Sequence, residues 1–192
     1  LLDVAARLSR EQNRRIPIFY DLAYELLLHD PAVPPFRSVL PDDELGIAYE
    51  VGTLAKVLAP SLRIGYLLGQ PGPFMNSMVQ KTSDAGFSAP LFVQEMASYL
   101  LDRHIAAQLE SVNAGYRAKA LAVGEAIRRL LGPSLDDCRG GSAGFYFYLT
   151  FSGTRTEPGS TFFDHLARPA DPAQPRVLYI PGQYCVHSGG DL

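Results

Sequence analysis

"GTLAKVLAPSLRIGY", residues 52–66, sets a lysine, Lys56, among Leu54, Ala55, Val57 and Leu58, and follows it with Arg63. An ammonium in apolar surroundings is costly and tends to shed its proton. Lysines kept in such places are often the ones that form Schiff bases. Taken alone, the stretch favours a solvated lysine at the rim of a buried strand, because structural lysines far outnumber catalytic ones. The surrounding sequence decides the matter.

Working outward, "LGIAYEVG" before the lysine reads as a strand over residues 45–51, and "LRIGYLLG" after it as a strand over 62–68. Upstream, "RIPIFYDLAYE" gives a short buried strand over residues 16–20 that ends at Asp21. Pro31, Pro34, Pro35 and Pro41 make residues 30–43 a loop. The chain opens on a helical face made by Leu1, Val4, Ala5 and Leu8. A helix followed by short, nearly all-apolar strands predicts a mostly parallel sheet covered on both faces. Ligands bind such sheets at the carboxyl ends of their strands, where Asp21 and the 52–56 segment fall.

From "GFSAPLFVQEMASYLL" the pattern turns helical. A long helix is predicted to run to about residue 131, with Val112, Tyr116, Ala120, Val123, Ile127 and Leu130 at three- and four-residue steps. Gly132 and Pro133 stop it. The tail is predicted to hold an aromatic strand in "GGSAGFYFYLTF", a Pro-rich linker over 169–175 and a strand in "RVLYIPG". The organisation read from this is residues 1–90 as part of a ligand-binding α/β domain, 91–132 as a connecting helical region, and 133–192 as a small α+β domain. Both ends read as cut from a longer protein.

Composition narrows the function classes. The 192 residues are 47% hydrophobic and 19% charged, which supplies a core and a solvated surface. A net charge of −3 without a basic run argues against nucleic acid or an anionic membrane as a partner. No uninterrupted apolar stretch is long enough to span a bilayer. Cys138 and Cys185 do not stand in a metal-ligand spacing, and the four histidines are scattered, which argues weakly against a metal site. Two cysteines that nothing obliges to pair fit a reducing, cytoplasmic compartment.

Three short motifs in order change the odds on Lys56: "DLAY" (21–24), "TLAK" (53–56) and "RIGY" (63–66), with "LAP" between the last two. Together they resemble the fold-type I pyridoxal-phosphate (PLP) enzymes, specifically the class I/II aminotransferases related to aspartate aminotransferase. That family has Asp-x-Ala-Tyr at a strand end, then Ser-x-Ser-Lys, then Arg-(Ile/Leu)-Gly-Tyr. The resemblance extends over essentially the whole chain, because "GGSAGFYFYL" and "YIPG" are similar to small-domain elements of the family.

The resemblance implies a part of the PLP-binding large domain followed by a small α+β domain. It implies an aminotransferase that moves an amino group from an amino acid to a 2-oxo acid, working as a homodimer. Lys56 would form the Schiff base with PLP and then serve as general base and acid. Asp21 would keep the pyridine nitrogen protonated, Tyr24 would donate to the cofactor's 3-oxygen, and Arg63 with Thr53 would hold the phosphate. The ordinary readings of these residues are a turn-capping Asp, a half-buried aromatic, a solvated Arg and a turn Thr.

The sequence departs from the family at Ala55, which offers no hydroxyl where the family has its second Ser. The family's phosphate-binding loop, its ring-stacking aromatic and an Asn near the 3-oxygen would precede these residues, and its carboxylate-binding Arg would follow them. Arg176 does not stand in that last role. A PLP lyase or decarboxylase of the same fold shares the cofactor residues, and a non-catalytic ligand-sensing module would too. Both stay open at this point. The aromatics Phe145, Tyr146, Phe147 and Tyr148 are expected on sheet faces, and a Cys185/His187 nucleophile pair is set aside for want of a third group.

Overall fold

The computed structural model describes residues 1–86, 88–168 and 176–185. Helix α1 (Leu2–Glu11) places Asp3 in its first turn and Arg10 in its last, matching charge to the helix dipole. Ser9 is buried and ties the helix to the chain beyond it. Its hydroxyl donates to the Ala5 carbonyl at 2.7 Å and accepts from the Ile16 amide at 3.0 Å.

Strands β1 (Ile18–Asp21), β2 (Ala48–Thr53) and β3 (Gly65–Gly69) form one sheet in the order β1-β2-β3. Each begins two or three residues later than the apolar runs suggest. β1 runs parallel to β2, with Asp21 opposite Val51, whereas β2 and β3 are antiparallel, with Thr53 opposite Gly65. The mostly parallel expectation therefore holds for one pairing of two. Residues 54–64 are too few for a parallel crossover, which needs about a dozen residues or more, and the 3-10 turn Pro60–Leu62 reverses the chain instead.

β2 is the central strand and the most buried. Its Glu50 is buried among apolar groups but satisfied, accepting from the Ser38 hydroxyl at 2.8 Å and the Val39 amide at 3.0 Å. Asp43, also buried, accepts from the Ala48 amide at 2.7 Å and so caps the entry to β2. Among the described residues Leu27 and Ile47 are the largest fully enclosed side chains of the core, joined by Ala48, Leu54, Val57 and Ala97.

Helix α2 (Pro73–Asp84) was not predicted from the sequence; Phe74, Met75 and Met78 form its half-buried apolar face, and none of its residues is fully buried. Pro73 at its first position marks its start. The predicted helical region is divided at His104 into α3 (Leu91–Arg103) and α4 (Ile105–Leu131). Gly132 and Pro133 close α4 in a short 3-10 turn.

The chain forms two compact units, Leu1–Glu125 with Gly140–Tyr146, and Ala126–Arg139 with Phe147–Leu192. In the second, β4 (Leu135–Gly140) pairs with β5 (Phe147–Phe151) in a two-stranded sheet. The Gly-flanked aromatic strand is thus shorter than predicted, because Gly140, Gly141 and Gly144 take positive φ values of 114°, 89° and 61° and break the extended run. Helix α5 (Thr161–Ala167) is N-capped by Ser160, whose hydroxyl accepts from the Phe163 amide at 3.1 Å.

Residues 176–181, predicted as a strand, join no sheet. They are held to α5 instead: the Val177 amide bonds the Leu166 carbonyl, and the Tyr179 ring packs against Phe162 and Phe163. The 169–175 linker and His187 lie outside the described residues. An open pocket of about 470 Å³ in this unit is lined by residues 153–155 and 157–162, where Arg155 pairs with Glu157.

Candidate active site

The strand directions place the predicted residues. Because β1 and β2 are parallel, Asp21 and Thr53 end their strands at the same sheet edge. Because β3 is antiparallel to β2, Arg63, just before its start, returns to that edge as well. Lys56 follows β2 within the turn that opens the 54–64 connection. In that turn the Leu58 amide donates to the Leu54 carbonyl at 2.9 Å and the Leu54 amide to Ile64 at 3.0 Å. Leu54 and Val57 are buried and anchor the turn, and Gln108 donates to the Val57 carbonyl at 3.0 Å. Lys56 itself is half-buried.

What the ammonium meets is aromatic. Lys56 Nζ lies 5.5 Å from the ring centroid of Tyr24 and 5.5 Å from that of Phe145, within cation–π range of both. The Tyr24 hydroxyl donates to the Tyr146 hydroxyl at 3.3 Å, and the two rings meet edge to face with centroids 5.7 Å apart. The bond to Tyr146 is the main reason the Tyr24 phenol is pushed up to about 12, followed by burial and by the negative charges that Tyr146 and Asp21 carry when ionised.

The remaining predicted residues are engaged locally. Asp21 Oδ1 accepts from the Ala23 amide at 3.0 Å, which shapes the turn that delivers Tyr24. The Thr53 hydroxyl donates to the Ile64 carbonyl at 3.0 Å and accepts from the Ala55 amide at 3.1 Å. Arg63 is exposed, donates to the Pro60 carbonyl at 3.2 Å and sits at φ 53° in the left-handed region. That conformation costs a non-glycine residue roughly 1–2 kcal/mol, and strain of this kind concentrates at functional sites. The structure brings Lys56 and Tyr24 together directly. Thr53 and Arg63 share their edge of the sheet but bond to backbone carbonyls.

Phe145 and Tyr146 are the residues that sequence reasoning misplaced. Phe147 and Tyr148 do lie in β5, but Phe145 and Tyr146 precede it and pack on Tyr24. The loop that carries them is pinned to residues 27–30. The Gly144 amide donates to the Leu27 carbonyl at 2.8 Å, and the Asp30 amide donates to the Ser142 carbonyl at 3.0 Å. Nε2 of the buried His29 lies 3.0 Å from the Gly144 carbonyl. The signal in the sequence was the cluster of glycines just before the aromatics, which favours a turn over a continuous strand.

A second polar contact braces the same edge. The Tyr66 hydroxyl donates to Glu25 at 2.9 Å. Burial first, then that bond and the charges of Glu25 and Glu50, push the Tyr66 phenol up to about 12. Among the described residues no cluster of His, Cys, Asp and Glu could hold a metal ion, and no helix is long and apolar enough to cross a membrane.

No protein-family model matches the sequence, and no curated protein matches it. Solved structures do. The α-aminoadipate aminotransferase LysN of Thermus thermophilus, complexed with N-(5'-phosphopyridoxyl)-L-leucine, superposes with a TM-score of 0.66 at 22% identity over 79% of this chain. The kynurenine aminotransferase of Pyrococcus horikoshii, in complex with PMP, gives 0.68 at 21% identity over 81%. A Thermus thermophilus aspartate aminotransferase mutant complexed with tryptophan gives 0.63 at 23% over 77%. The chain spans well under half of each, 39%, 37% and 37% of their lengths. These likenesses establish the fold, the α/β fold of the fold-type I PLP-dependent aminotransferases.

Proposed function

We propose that these residues form part of a PLP-dependent aminotransferase, in which Lys56 carries the cofactor. The observation that supports this reading most directly is the half-buried Lys56 amine set against Tyr24, at the sheet edge where Asp21 ends β1. The donor set fits the group: an amine for the aldehyde, a phenol for the ring oxygen and a carboxylate for the ring nitrogen. Bound PLP supplies an aldehyde for attachment to lysine and an electron-withdrawing ring that acidifies the substrate's Cα–H.

The chain's own residues would do the rest. Lys56 Nζ, freed by the incoming amino acid, would take the proton from Cα and return it elsewhere as general base and acid. The Tyr24 and Phe145 rings, each 5.5 Å from Nζ, would keep the amine in place between these transfers. Asp21 would keep a proton at the ring nitrogen with its charge, and Tyr24 would turn its hydroxyl toward the ring oxygen. Arg63 would pair with the phosphate after releasing Pro60, and the Thr53 hydroxyl would add an oxygen contact. An amino acid and a 2-oxo acid are the substrates of this reading, and a homodimer is its assembly.

The test is covalent trapping in the full-length protein. PLP is added, the visible absorbance band recorded, the complex reduced with borohydride and the peptides mass-mapped. The expected result is a pyridoxyl mass on Lys56, with band and mass both lost in Lys56→Ala. Amino-group transfer from an amino acid to a 2-oxo acid, measured on the same protein, separates an aminotransferase from a lyase and from a sensing module. An unmodified Lys56 in the full-length protein would falsify the reading.

A further inference from the structure

We propose that Tyr146 is a positioning residue that acts through Tyr24, setting how strongly the Tyr24 hydroxyl can be offered to an acceptor beside Lys56. The inference rests on the reading of Lys56 given above and assigns a role to a residue outside the three short motifs that hold Asp21, Tyr24, Thr53, Lys56 and Arg63. Tyr146 reaches Tyr24 because the glycine loop is fixed by the Leu27–Gly144 and Asp30–Ser142 backbone bonds and by His29 on the Gly144 carbonyl. Phe145, in the same loop, packs edge to face on Tyr24 at 5.1 Å and stacks on Tyr116 of α4 at 5.7 Å, which fixes the loop from its other side. The two hydroxyls are 3.3 Å apart, longer than the usual hydroxyl–hydroxyl bond of about 2.5–3.0 Å, so the pair can rearrange.

The direction of the bond gives the mechanism. Without a ligand Tyr24 donates to Tyr146, and its own proton is held in that bond. When an acceptor stands beside Lys56, the Tyr24 proton turns to it. The Tyr146 hydroxyl is then free to donate to the Tyr24 oxygen. A phenol that accepts a hydrogen bond is a stronger donor, because the bond stabilises the negative charge its oxygen gains. Tyr146 would thereby strengthen the hydrogen bond to the cofactor's ring oxygen and favour the unprotonated form of the lysine–cofactor linkage.

The experiment uses Tyr146→Phe in the full-length protein, which keeps the ring and its packing and removes the hydroxyl, with two readouts. The first needs no cofactor: the ionisation of Tyr24 is followed by carbon-13 NMR of labelled tyrosine Cζ, assigned with Tyr24→Phe. Tyr146→Phe is expected to move the Tyr24 midpoint away from about 12, because the two hydroxyls share one hydrogen bond and their ionisations are tied through it. An unchanged Tyr24 midpoint overturns the proposal whether or not Lys56 binds PLP.

The second readout is the pH midpoint of the PLP absorbance change. It is expected to rise by roughly half a unit or more in Tyr146→Phe, and to fall when 3-fluorotyrosine, a more acidic phenol, is placed at 146. A cofactor bound to Lys56 with midpoints unmoved in both variants overturns the role of Tyr146 and leaves the reading of Lys56 intact. Failure of the parent protein to bind PLP at Lys56 overturns both.

Discussion

At the residue scale, the opening stretch holds a second constraint two strands wide. Gly52 sits in β2 opposite Tyr66 of β3, and a Cβ at Gly52 would lie 2.1 Å from Cζ of the Tyr66 ring. The ring could swing away only by giving up the 2.9 Å bond from its hydroxyl to Glu25. Gly52→Ala is therefore expected to destabilise the protein by about 1–3 kcal/mol, the usual range for forcing atoms into filled space. A chain of this size would lose about 2–4 °C in Tm per kcal/mol. The check is a double-mutant cycle by thermal denaturation, because contacting residues couple. In a Tyr66→Ala background the cost of Gly52→Ala should shrink markedly; equal costs in the two backgrounds would show that the ring is not the obstacle. The apolar run of β2 was plain in the sequence, but the need for glycine there was not, since it depends on which cross-strand ring faces it.

At the scale of elements, legibility followed the strength of each local pattern. α4 was readable because its apolar steps and its Gly132–Pro133 stop agree. α2 was not predicted: its apolar face is short, made by Phe74, Met75, Met78 and Val79, and none of its residues is fully buried. The direction of β3 could have been inferred from the shortness of 54–64 alone. The strand predicted at 176–181 failed for the opposite reason: its residues have the right composition, but pairing is a property of neighbours. Helix propensity leaves one position in α4 open to improvement. Gly115 lies inside the helix and is exposed, with open space where a Cβ would stand. Gly115→Ala is expected to stabilise the helix by up to about 1 kcal/mol, since glycine gives up more backbone freedom than alanine when the helix forms. A rise of about 2–4 °C in Tm is the expected reading; a fall would show that this face of α4 is covered in the folded protein.

At the scale of the whole molecule, the candidate site draws on segments far apart in sequence. Residues 21–24 and 53–63 were found as short motifs in a fixed order, and the parallel β1–β2 pairing with the antiparallel return of β3 explains why such an order can converge on one edge. Residues 140–146 were read as the entry to a small-domain strand, and their packing on Tyr24 was missed, because it depends on positive-φ glycines and on a latch to residues 27–30 that no local pattern encodes. That division sets a thermodynamic expectation. A ligand that binds only the folded state stabilises it by RT ln(1 + [L]/Kd), about 2.7 kcal/mol at a hundredfold excess over Kd. Lys56, Tyr24 and the 140–146 loop all belong to the first of the two compact units. PLP is therefore expected to raise the melting temperature of that unit, and if the units melt separately only one of two transitions should move. Lys56→Ala removes the covalent share of the affinity, so its shift at the same PLP concentration should be much smaller. Calorimetry of the parent and Lys56→Ala, each with and without PLP, makes the comparison. Equal shifts in the two proteins would mean that PLP binds elsewhere, and the lysine's apolar, aromatic setting would then revert to the plain reading of a lysine at the rim of a strand.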